Sequence, residues 1–138
     1  MSIFQTRIVA FFAPFLRTSI GKKLVVWSIV HLHALIPMKT LYETNELLSF
    51  FHPQPTYPFH VIMVPKTRIP DLPSMDMTAN SALIEGVFST TQKIVEDYHL
   101  EESGYRLILN GGKNQDFPIL HFHLVSDQTH PAKEAKYE

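Results

Sequence analysis

His121 and His123 stand two residues apart in the run Ile119-Leu-His-Phe-His-Leu-Val125, with an apolar residue on each side of both. In an extended chain side chains alternate, so the two imidazoles share one surface roughly 6.5 to 7 Å apart, while Leu120, Phe122 and Leu124 point the other way into a core. Two groups that titrate near neutrality, held over one small ligand, can act as nucleophile, proton donor or anion binder. A third imidazole, His60, alternates against Phe59, Val61 and Met63 in a run that ends at Pro65, which cannot continue a central strand. Between these pieces Tyr105 to Asn110 reads as a strand, Gly111-Gly112-Lys113 as a hairpin turn, and Gln115 leads into the histidine strand. Asn110 and Gln115 are candidate amide donors to a phosphate, and each is equally a candidate turn-stabilising residue. The Gly-Gly-Lys run lacks the rest of a phosphate loop and no helix follows it at once.

Taken together, the spacing His60-x-x-x-x-Pro65-Lys66 and the later Gln115-x-Phe117-x-Ile119-x-His121-x-His123-Leu-Val125 resemble the histidine-triad (HIT) family over about residues 38 to 125. The Gly-Gly-x-x-Gln and Leu-His-Phe-His-Leu pieces are closer to a variant branch of that family than to its standard members. Registering Gln115 on the family glutamine makes His121 the middle histidine, His123 the third, and Ile119 the occupant of the first position. Counting from Asn110 would instead make His121 the first; the glutamine register is preferred because it keeps Leu124-Val125 after the last histidine. The resemblance implies a nucleotide-binding hydrolase or nucleotidyl transferase. In it His121 attacks the α-phosphorus, His123 binds the phosphate or protonates the leaving group, and His60, Asn110 and Gln115 line the pocket. It also implies a homodimer, a nucleotide substrate and no cofactor or metal. Two departures stand out: Ile119 replaces an imidazole, and His52 falls where the family has a ribose-binding carboxylate. Since position 119 shares the face of His121 and His123, Ile119→His is expected to be tolerated. The competing reading is a catalytically weak nucleotide-binding or interaction protein, docked to a membrane or partner by its N-terminal module.

The chain has 138 residues, 45% of them hydrophobic and 18% charged, enough for one domain with its own core. A formal net charge of -1 argues against nucleic acid as partner. Without cysteine there is no disulfide, iron–sulfur cluster or thiol catalysis. Charge is unevenly spread. Residues 1–42 hold Arg7, Arg17, Lys22, Lys23 and Lys39 and no acid, whereas all 13 carboxylates and the other seven basic residues follow. Residues 1–37 therefore read as a separate basic, apolar helical extension with blocks Ile8 to Leu16 and Leu24 to Ile36. The second block is shorter than the roughly 20 residues a bilayer span needs. Three uses remain open: a helix packed on the domain or its dimer mate, with Trp27 as anchor; a peripheral membrane-surface helix; and mitochondrial targeting. A cytoplasmic location, peripheral to a membrane in the second case, is the expectation. His31 and His33, two apart on a helix, do not face each other and make no shared ligand set.

From residue 38 the pattern predicts strands at 38–42, 47–52 and 59–64, and a helix at about 79–98 capped by Thr78 or Asn80. Strands at 105–110 and 117–125 follow, then a polar tail at 126–138. This is an α+β fold, an antiparallel meander with one long helix.

Overall fold

Residues 14–15, 17–32 and 39–129 are the part of the chain that this computed structural model describes. Most of the apolar block from Ile8, His33 to Met38, and the tail from residue 130 lie outside the described residues, as does the side chain of His31. Helix α1 (Ser19–Leu32) precedes strands β1 (Thr40–Glu43), β2 (Leu47–Phe51) and β3 (Phe59–Pro65). Helix α2 (Ser81–Asp97) and the single turn α3 (Leu100–Ser103) lead to β4 (Arg106–Leu109), a 3-10 turn at Gly112–Asn114 and β5 (Phe122–Ser126).

The first three strands form the expected meander because each connection closes on itself. Thr44 Oγ1 accepts from the amides of Glu46 and Leu47 at 3.2 and 3.0 Å, which fixes the β1–β2 turn. The Pro-rich segment after β2 is closed by His52 N–H donating to the His60 carbonyl at 2.8 Å. Beyond β3 the meander stops: the antiparallel sheet order is β1-β2-β3-β5-β4, so the last hairpin inserts its second strand beside β3. That insertion sets His123 opposite Ile62 and Val125 opposite His60.

The ladder of β5 begins at Phe122, not at residue 117 as the apolar pattern predicts. Pro118 has no N–H to give a neighbour. The segment before β5 is anchored elsewhere, with Leu120 N–H donating to the Ile69 carbonyl at 2.7 Å. In α2 the buried residues Leu83, Val87, Thr91 and Ile94 recur at helical spacing and cover Phe59, Val61, Met63, Leu120 and Leu124 on one sheet face. Neither expected cap acts through its side chain: Asn80 is the N-cap but makes no side-chain cap bond, and Asp76 Oδ1 takes the Ala79 amide just upstream.

The other sheet face is divided. One end of the strands carries Leu48, Phe50, Val64 and Ile119, which with Val26 of α1 form a second core, flanked by the partly buried Val25, Val30, Ile62 and Phe117. The other end carries the histidines. Val26 is the residue of α1 buried in this core, while Trp27 is 51% exposed. One expectation is corrected here. Ile119 shares the face of the histidines yet is only 2% exposed, sealed among branched and aromatic side chains, so the site position is spoken for by packing.

Candidate functional site

His121 sits one residue ahead of β5 and is buried. Its Nδ1 lies 2.8 Å from the Ile119 carbonyl oxygen. A carbonyl only accepts, so Nδ1 carries a proton, and in the neutral ring Nε2 keeps the lone pair. The chain bends at residues 117–119, just ahead of this contact.

Opposite tautomers follow for the other two imidazoles. The Thr56 backbone N–H donates to His60 Nδ1 at 3.3 Å, which places the His60 proton on Nε2. His60 Nε2 is 2.9 Å from His123 Nδ1, so His60 donates and His123 accepts. Neutral His123 must then hold its own proton on Nε2. The outcome is one lone pair, on His121, beside one N–H donor, on His123, with ring centroids 4.9 Å apart. A lone-pair nitrogen and an N–H donor are thus distinguished by two backbone contacts and the His60–His123 bond.

Burial, then the imidazoles of His52 and His123, lower the pKa of His60 to about 4. Burial, then His121 and His52, lower His123 to about 4, against a smaller opposing pull from Asp116. Both are neutral at pH 7, as the hydrogen-bond chain requires. Because the folded values lie below the ordinary value of 6.5, the unfolded chain binds more protons between about pH 6.5 and 4. Stability is therefore fully present above that window and falls as pH drops through it. A urea midpoint that declines from pH 7 to pH 4.5, with a flatter decline in His60→Asn/His123→Asn, is the expected result; parallel pH profiles would contradict it.

The structure brings His60, His121 and His123 together and adds His52, which the sequence flagged only as a departure. His52 extends the β2–β3 ladder by one step, so its ring lies across from His60, with centroids 4.4 Å apart, and 6.3 Å from His123. Alternation from Leu48 and Phe50 was the available signal for it. Its Nδ1 accepts from the Gln54 amide at 3.0 Å, and burial followed by His121 lowers its pKa. Asn110 is one step past the last β4–β5 pair, Leu109 with Phe122, on the parity of Ile108 and thus on the face of His123. Its amide makes no hydrogen bond among the described residues. Gln115 departs from expectation: Nε2 donates to the carbonyls of Pro70 at 2.6 Å and Phe117 at 2.8 Å, using both amide hydrogens. It braces the loop ahead of His121 and has no N–H left for phosphate.

Phe117 is a further wall that sequence reasoning passed over, edge-on to His121 at 6.4 Å with Lys22 of α1 over its ring at 5.5 Å. Beyond it opens a cavity of about 640 Å³, bounded by Arg17, Lys22, Lys23, Gln115 and Phe117, with Asp71 and Asp116 also on its rim. Lys66 is held on Glu43 at 2.5 Å, away from the imidazoles. Among the described residues no group of three or more histidine or acidic side chains is arranged around a common point for a metal ion.

Residues 33–130 match the HIT domain family. An uncharacterised 13.2 kDa HIT-like protein of Azospirillum brasilense is 33% identical over 93 residues, covering 66% of this chain and 76% of that protein. The purine nucleoside phosphoramidase of Escherichia coli K12 is 27% identical over 89 residues, 64% of this chain and 74% of the enzyme. Among solved structures, a HIT family hydrolase from Clostridium thermocellum superposes with a TM-score of 0.66 at 27% identity, covering 80% of this chain and 95% of that one. A histidine triad protein from Clostridium difficile, 24% identical, gives a TM-score of 0.66 with the same coverage and shares the fold. With a match that takes in both histidine strands and the helix between them, the chain belongs to the HIT family.

Proposed function

We propose that this protein hydrolyses or transfers nucleotides at the α-phosphorus, with His121 as nucleophile. The observation that carries the reading is the split of tautomers: a bare Nε2 on His121 beside an N–H on His123. In the first step the Nε2 lone pair forms a bond to phosphorus as the bond to the leaving group breaks. The developing imidazolium is stabilised through its Nδ1–H on the Ile119 carbonyl, the His123 Nε2–H gives a hydrogen bond to the phosphoryl group, and the leaving atom departs with a proton taken from water. In the second step water attacks the phosphorus, its proton passes to solvent, and the His121–phosphorus bond breaks. Asn110, with its amide uncommitted, supplies a further donor to the phosphoryl oxygens. Similarity to a purine nucleoside phosphoramidase supports a nucleoside phosphoramidate as substrate.

Mixing the protein with adenosine 5′-phosphoramidate and quenching in base tests the reading. A base-stable, acid-labile adduct of one nucleotide on the peptide containing His121 is the expected result. Turnover without any such adduct, in wild type and in a His123→Ala variant alike, would remove the covalent step.

A further inference from the structure

Helix α1 has two faces with different fates. Val26 is buried in the second core and Val25 and Val30 pack against it. On the opposite side Ile20, Leu24 and Trp27 are 68%, 48% and 51% exposed. They are spaced four and three residues apart and so form one outward stripe. Exposed Arg17 and Lys23 flank it, and no acidic residue occurs before Glu43. Neither Arg17 nor Lys23 is in an ion pair among the described residues. Isolated apolar residues on a surface need no explanation, but an aligned trio that includes the chain's one tryptophan, set between cations, does. The helix has 14 residues, and no helix among those described is long and apolar enough to cross a membrane. Its inner face is tied to the sheet, and Ile20 and Leu24 are exposed on the outer one.

We infer that α1 docks the folded domain on an anionic lipid surface, lying in the plane of the interface with Ile20, Leu24 and Trp27 among the acyl chains and Arg17 and Lys23 at the headgroups. The charge decides the occupant: a second copy of this chain would bring the same cations face to face, whereas anionic headgroups neutralise them. An in-plane helix of this kind needs a bulky apolar side and cations at the level of the headgroups, and both are present on one face.

Because Trp27 is the only tryptophan, its emission reports the contact directly in the full-length protein. Titration with vesicles of phosphatidylcholine and phosphatidylserine is expected to shift that emission to the blue and to pellet the protein with lipid, whereas phosphatidylcholine alone does neither. Raising salt towards 1 M, where screening acts within about 3 Å, should reverse binding. Arg17→Gln/Lys23→Gln should weaken it by roughly tenfold to thirtyfold, given about 1 kcal/mol for each cation near the surface. Ile20→Ser/Leu24→Ser should abolish the blue shift while far-ultraviolet dichroism stays unchanged. If these variants fail to fold, the salt dependence of the wild type still decides. The inference is overturned by an unshifted spectrum with anionic vesicles. It is equally overturned by binding that ignores salt and lipid charge, or by a blue shift that tracks protein concentration without lipid, which would make a second copy the occupant.

Discussion

His121→Ala should lower kcat for nucleoside phosphoramidate hydrolysis by at least about four orders of magnitude, equivalent to ~5.5 kcal/mol of barrier. The argument is one of geometry. His121 alone in the cluster has a ring nitrogen whose lone pair is directed by a backbone acceptor on the opposite nitrogen, at 2.8 Å from the Ile119 carbonyl. His60 and His123 have engaged each other, and His52 has its Nδ1 taken by the Gln54 amide. None can stand in. Truncation removes a side chain at the edge of a core that is held mainly by Leu120 and Leu124, so the fold should survive and nucleotide affinity, measured by calorimetry with a non-hydrolysable analogue, should change little. Wild-type kcat in the variant would refute the assignment, and loss of affinity in step with kcat would recast His121 as a binding residue.

Ile119→His should destabilise the domain by roughly 2–4 kcal/mol, the combined effect of lost apolar burial and an imidazole without a hydrogen-bond partner. Position 119 is 2% exposed and its neighbours are Val26, Leu48, Phe50 and Val64, which supply no polar side-chain atom. The loss should grow below pH 6.5, since the charged ring is the costlier form to bury. Ile119→Val, which keeps the branched shape, should cost about 1 kcal/mol. Urea denaturation of the two variants at pH 7.5 and 5.5 checks all three statements. An unchanged midpoint in Ile119→His would mean that α1 yields easily and that the second core is not a core.

Alternation was enough to set His121 and His123 against Leu120 and Leu124, and His60 against Phe59, Val61 and Met63; the pairing of β3 with β5 is what puts the histidines on one surface. Period-two patterns are legible because a buried face tolerates no slip of register. What alternation cannot say is what lies above a face. Ile119 and His121 have the same parity, yet one is roofed by α1 and the other is not, and that roof is a contact between residues about ninety positions apart. The same limit hid the role of Gln115, whose amide is spent on a carbonyl 45 residues earlier in the chain. The β5 start was misplaced for a local reason that was visible, Pro118, outweighed by the apolar run around it. The one long helix was readable from spacing, although Phe88 within it is 60% exposed.

The hydrogen-bond chain from Thr56 through His60 to His123 has a direction. Its first member is a backbone amide, which can give a proton but never receive one, and its last is an N–H aimed away from the other two. Such a chain is a polarity key. Held in this order it presents an outward hydrogen at His123 Nε2, so an arriving acceptor such as a phosphoryl oxygen fits there and an arriving N–H or O–H does not.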